Sequence, residues 1–70
     1  MTAEEIGKAI KAQRVKKGQS QLLLAGLLGK SRTAIIRAET RTAEVSLKNL
    51  IRVLDYLELE FSINPKKQKL

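Results

Sequence analysis

Four hydroxyl residues, each standing at the head of an apolar run, constrain this chain more than any other feature: Thr2, Ser20, Ser31 and Ser46. A Ser or Thr in that place accepts a hydrogen bond from a first-turn amide and so starts a helix. Thr2-Ala3-Glu4-Glu5 has the capping-box spacing, in which the Glu5 carboxylate reaches back to the Thr2 amide. Behind it Ile6, Ala9 and Ile10 lie on one stripe, and Lys16-Lys17-Gly18 makes a basic last turn and a stop, so the first helix is expected over Thr2 to Lys17. Ser20 begins a second, short helix through Leu28 that Gly29 ends, and Ser31 a third that runs to about Glu39. Thr40 to Val45 has no period and reads as a loop. Ser46 begins a fourth helix, with Val45 and Leu50 placed as a hydrophobic staple and Leu47, Leu50, Ile51, Leu54 and Leu57 as its apolar stripe.

The pattern changes at Glu58. Leu59, Phe61 and Ile63 alternate with Glu58, Glu60 and Ser62, the period of a strand, until Asn64-Pro65 ends it. A lone strand leaves its backbone groups unpaired, and no second candidate exists in the chain, so residues 58–63 are expected to pair with their copy in a homodimer, a further helical turn being the other reading of the segment. One domain over residues 1–64 is followed by a basic tail at 65–70, whose lysines read as a solubilising end before a DNA-binding arm.

Composition narrows the function. With 14 Lys and Arg against 7 Asp and Glu in 70 residues the formal charge is +7, which points to an anionic partner, nucleic acid before a membrane surface. There is no Cys and no His, hence no disulfide, no zinc site of the usual kind, no thiol nucleophile and no imidazole base. A domain this small buries only about 60% of its unfolded surface, and a secreted one would be stapled, so a cytoplasmic protein is expected. Asp55, Glu58 and Glu60 have no spacing for paired acid and base work, and the four glycines are isolated, so neither an enzyme nor a cofactor or small-molecule substrate is expected. No apolar run is long enough to span a bilayer. Tyr56 and Phe61 are the only aromatics, too few for RNA binding by base stacking.

The decisive segment is Ser20 to Leu47. Gln21, Ala25, Gly29 and Ile35 have the spacing of a helix-turn-helix: a small residue where the helices cross, a glycine in the tight turn, and an apolar plug facing Leu24 and Leu28. Ser20-Gln21, Ala25, Gly29-Lys30-Ser31-Arg32, Ile35, Glu39 and Ser46-Leu47 together resemble the Cro/cI-type (XRE) helix-turn-helix family over about residues 4 to 57. The run from Arg52-Val53-Leu54 into Leu57-Glu58-Leu59-Glu60-Phe61-Ser62-Ile63 is similar to the HipB-like antitoxins.

The resemblance implies an all-α, lambda-repressor-like bundle of four to five helices with a short C-terminal strand that pairs across a dimer. It implies a repressor of its own operon that reads a near-palindromic double-stranded DNA operator and holds a HipA-like kinase toxin. Arg32, Thr33 and Arg37 would contact bases, and Gln21, Lys30, Ser31, Arg41 and Lys48 the DNA backbone. Arg14 and Glu39 would form a partly buried ion pair. Leu59, Phe61 and Ile63 would be the apolar side of the dimer strand.

The chain departs from the family in four places. Thr40-Arg41 stands where a glycine usually follows the third helix, Val45 where a proline is frequent, and Gln19 at a commonly apolar position. Leu22, Leu23 and Leu27 lie where the second helix is normally polar, which makes Leu23 and Leu27 a candidate partner surface or ordinary packing against a neighbouring helix. Lys8, Lys11, Lys16 and Lys17 read as a solvated helix face. A stand-alone phage-type or chromosomal repressor, and a helical adaptor that binds only protein, are the other readings.

Overall fold

The computed structural model describes residues 1–65, and the lysine-rich tail beyond Pro65 lies outside the described residues. Four α-helices follow one another: α1 at Ala3–Lys16, α2 at Gln21–Leu28, α3 at Arg32–Thr40 and α4 at Leu47–Tyr56, with a 3-10 turn at Thr42–Glu44 before α4. Each begins as its cap residue dictates. The Glu5 amide donates to Thr2 Oγ1 at 3.1 Å and the Thr2 amide to Glu5 Oε1 at 3.0 Å, closing the box. The Leu23, Ala34 and Asn49 amides donate to the hydroxyls of Ser20, Ser31 and Ser46.

The helix ends are more varied. Gly29 follows α2 at φ 65°, and Lys30 N–H returns to the Ala25 carbonyl at 2.8 Å, so the turn into α3 uses a backbone conformation that a Cβ would strain. The missing glycine after α3 has a physical substitute. Arg41 leaves the helix at φ −131°, and two threonine hydroxyls cover carbonyls near its end: Thr40 donates to Ile36 O at 2.8 Å and Thr42 to Ala38 O at 2.6 Å. The chain therefore turns through the 3-10 segment without a left-handed residue.

Ile10, Leu24, Ala25, Leu28, Ile35, Ala38, Leu50, Val53, Leu54 and Leu57 form one buried cluster, with Ile6, Val45 and Leu59 packed against it. Every helix contributes to it. Two expected stripes shift: Ala9 is exposed on α1, and on α4 Leu47 and Ile51 face outward while Val53 takes a core place. The apolar stripe expected on α4 took in two residues too many, Leu47 and Ile51; a helix packed on only one side buries a narrower arc.

After Tyr56 the chain reverses through Glu58 at φ 60°, with Leu59 N–H bonding the Leu54 carbonyl at 2.9 Å. This ends the helix and excludes a further turn, and it means that an extended run can begin only at Leu59, one residue later than expected. Gln13 of α1 donates to the Leu57 carbonyl at 3.0 Å, and Lys17 is ion-paired to Glu58. From Leu59 to Pro65 no regular secondary structure forms within the single chain, and residues 60–64 run beside Met1 and Ile6.

Two surface carboxyls are tuned by these local contacts. Hydrogen bonds from the Thr2 backbone and hydroxyl hold Glu5 below its ordinary value of 4.5, and the Lys17 ammonium does the same for Glu58. A carboxyl lowered in the folded state stabilises fully above its unfolded value and ceases to as the pH falls through the folded one. The Glu5→Gln, Glu58→Gln variant is therefore expected to lose less stability than the parent chain as the pH is lowered past 4.5, measured by thermal unfolding across an acid series.

Candidate nucleic-acid interface

Helix α3 is divided lengthwise. Ile35, Ala38 and Glu39 are buried on its inner side, whereas Arg32, Thr33 and Arg37 are exposed on the other, and Ala34 and Ile36 lie half-buried between. The inner side is held by charge as well as by packing. Arg14 donates through Nε to Glu39 Oε2 at 2.6 Å and through Nη2 to Oε1 at 3.2 Å. Its third arm, Nη1, donates to the Gln19 carbonyl at 2.7 Å, and Gln21 Nε2 donates to Glu39 Oε1 at 3.1 Å. One carboxylate thus joins α1, the start of α2 and the end of α3. A two-pronged guanidinium–carboxylate contact is directional in a way that apolar burial is not.

Of the remaining backbone candidates, Gln21 and Lys30 each border a hollow beside α3. Gln21 sits with Arg14, Ser20, Leu22 and Arg32 around a shallow hollow at the start of α2. Lys30, Arg37, Ser46 and Asn49 border a second hollow between α3 and the start of α4, where Glu44 is the carboxylate on the rim. Lys30 Nζ donates to Asn49 Oδ1 at 3.0 Å, so its ammonium is anchored at the mouth of that hollow. Ser31 is exposed, with its hydroxyl engaged as the cap of α3. Arg41 and Lys48 are exposed.

The other candidate residues lie elsewhere. Leu23 and Leu27 are each 49% exposed on α2, beside Leu22 at 68%, so no helix of the single chain covers them. Of the strand candidates Leu59 is half-buried against the core, Phe61 is partly exposed and Ile63 is 85% exposed. Gln19 fills its commonly apolar place with its side-chain Oε1 buried and unpartnered, while its carbonyl serves Arg14.

Three residues that hold this arrangement escape a reading of the sequence: Gly7, Thr42 and Asn49. Gly7 is buried in α1 against the end of α3, Thr42 bonds back to that helix, and Asn49 receives Lys30. Only Gly7 carried a signal, as a glycine inside an otherwise good helical pattern.

The sequence matches the Helix-turn-helix family over residues 10–63. The chain belongs to the helix-turn-helix family. No curated protein matches it at a significant level. Among solved structures a chain of the HipA-HipB-O2-O3 complex has the same fold, with a TM-score of 0.83 at 24% identity, over 96% of this chain and 94% of that one. The match spans the four helices and reaches into the segment that follows them. Within the helix-turn-helix, α2 is the first helix, Gly29 marks the turn and α3 is the second, whose outward face carries Arg32, Thr33 and Arg37.

Removing one partner of the buried pair leaves the other charge desolvated. Glu39→Ala is expected to destabilise the helix-turn-helix by about 3–5 kcal/mol, whereas Arg14→Met with Glu39→Leu is expected to cost far less, both read by urea unfolding.

Proposed function

We propose that this helix-turn-helix protein is a dimeric, sequence-specific transcriptional repressor of the HipB antitoxin kind, acting on its own operon in the cytoplasm. The observation that carries this reading is the division of α3, whose buried side is clamped through Glu39 while Arg32, Thr33 and Arg37 project outward. In a major groove, Arg32 and Arg37 would each take a guanine edge in two-pronged fashion, worth about 1–3 kcal/mol of discrimination apiece. Thr33 would meet a thymine methyl or a phosphate. Gln21, Lys30, Ser31, Arg41 and Lys48 would place the phosphate backbone, giving affinity without sequence preference.

A dimer follows from the C-terminal segment. Leu59 to Ile63 alternates and finds no strand partner within its own chain among the described residues. Pairing with the same segment of a second copy would satisfy those backbone groups and cover Phe61 and Ile63. Two copies related by a two-fold axis would read half-sites about one helical turn, roughly 34 Å, apart or a multiple of it. The exposed Leu23 and Leu27, and a fold shared with a chain of the HipA-HipB-O2-O3 complex, favour a HipA-like kinase as the protein partner.

Two surfaces are thereby assigned to two ligands, and variants should separate them. Arg32→Ala and Arg37→Ala are expected to weaken binding to the DNA upstream of the reading frame while leaving thermal unfolding and capture of a co-expressed HipA-like kinase unchanged. Leu23→Glu with Leu27→Glu should do the reverse, abolishing kinase capture and sparing DNA. Equal DNA affinity in both arginine variants removes α3 as the reading helix; kinase capture unaffected by the leucine changes removes that surface.

The dimer has its own test. Phe61→Asp with Ile63→Asp leaves the buried cluster and Leu59 intact, so the domain should stay folded by circular dichroism yet sediment as a monomer and bind the operator weakly. A variant that remains dimeric in sedimentation refutes the paired segment.

A further inference from the structure

Gly7 sits in the middle of the first half of α1, with an ordinary helical backbone, at a position where glycine is about 1 kcal/mol worse than alanine. Conformational freedom does not account for it. Space does. A Cβ built there would stand 2.5 Å from Thr42 Oγ1 and 3.0 Å from the Glu39 carbonyl carbon, and nearer still to the Glu39 carbonyl oxygen. Two of those three atoms are backbone of the last turn of α3, which has no side-chain freedom with which to give way.

The same turn is held a second time. Arg14 lies seven residues beyond Gly7, two turns along the same side of α1, and grips the Glu39 carboxylate. Gly7 is thus a non-bonded stop against the backbone of Glu39, and Arg14 a directional clamp on its side chain, about 10 Å apart along α1 at 1.5 Å per residue. Both contacts fall on Glu39, so they fix the C-terminal end of α3 against α1, while Ile35 packs its middle on the core. Thr42 completes the stop, since its hydroxyl bonds Ala38 O at 2.6 Å and stands directly under Gly7.

We infer that Gly7 and Thr42 are positioning residues for sequence discrimination: they set the angle at which α3 presents Arg32 and Arg37, although neither touches DNA. The inference rests on α3 being the DNA-reading helix. A site of this kind tolerates only about 0.5 Å and 10–20° of error before its contacts fail. A methyl at Gly7 has to lift the end of α3 by a comparable amount to regain ordinary van der Waals distance. Arginine–guanine pairs depend on that angle, whereas attraction to phosphates depends on charge and is indifferent to it.

The test compares two duplexes: one selected from a random pool by the parent chain, and one of scrambled sequence, each titrated by fluorescence anisotropy. Thermal unfolding of every variant fixes a temperature at which it is folded. Gly7→Ala is expected to lower the selected-to-scrambled affinity ratio on the order of tenfold, the loss of roughly one good base contact, with scrambled binding nearly unchanged. Thr42→Val, which keeps the volume and removes the hydroxyl, should lower the ratio in the same sense, and Thr42→Ser should restore it. A folded Gly7→Ala chain with the parent ratio overturns the inference. If Gly7→Ala does not fold, the threonine pair decides, and equal ratios for Val and Ser overturn it. A parent chain that selects no sequence from the pool removes the reading of α3 itself, a failure distinct from variants that keep the parent's discrimination.

Discussion

The carboxylate of Glu39 is the point on which this small domain turns. It is buried, and a buried charge is tolerated only when its partners are fixed in place. Here Arg14 supplies two of them and Gln21 a third, from two other helices. Replacing such a pair by apolar side chains is often neutral in stability, so its contribution lies in direction. The apolar core needs that supplement. Helix α3 places only Ile35 and Ala38 in it, and hydrophobic burial, being non-directional, sets rotation about the helix axis only coarsely. An ion pair with defined geometry sets it more closely.

Local chemistry was legible in the sequence, and tertiary approach only where the helix-turn-helix spacing or the family resemblance supplied it, as for Ile35 with Leu24 and Leu28 and for Arg14 with Glu39. The helix starts could be read because a cap hydroxyl needs only its own first-turn amide, and Thr2, Ser20, Ser31 and Ser46 each find it. Gly29 was readable for the same reason: its left-handed φ serves the turn it stands in. Gly7 was not, because what forbids a side chain there is the backbone of Glu39, 32 positions along the chain. At the exit of α3 no glycine stands at Thr40-Arg41, and the hydroxyls of Thr40 and Thr42 bond the Ile36 and Ala38 carbonyls instead. The alternating segment after Glu58 marks a further boundary, since strand pairing with another chain has no expression within one.

Charge, too, changes meaning once placed. A formal +7 suggests an anionic partner and says nothing of where it sits. Lys8 is taken up by Glu4, Arg14 by Glu39 and Lys17 by Glu58, the first two on α1 and the third at its C-cap. Lys11, Lys16 and Arg52 form no ion pair among the described residues, so unpaired cations alone would not mark a DNA-facing side. Orientation would. Around α3 the exposed arginines stand on a helix whose opposite face is clamped, and Lys30 is tethered to Asn49 at the margin.

Helix α1 then has a role beyond its share of the core. Gly7 and Arg14 hold the end of α3. Gln13 and Lys17, one turn apart, hold the Leu57 carbonyl and Glu58, where the chain leaves α4 toward Phe61 and Ile63. The helix that would read DNA and the segment that would join two copies are therefore both referenced to the same rigid element. In the proposed dimer the separation of the two reading helices depends on the angle between those two attachments. Side chains on α1 that face neither DNA nor the second copy would thus set the half-site spacing, a property that no inspection of α3 alone could give.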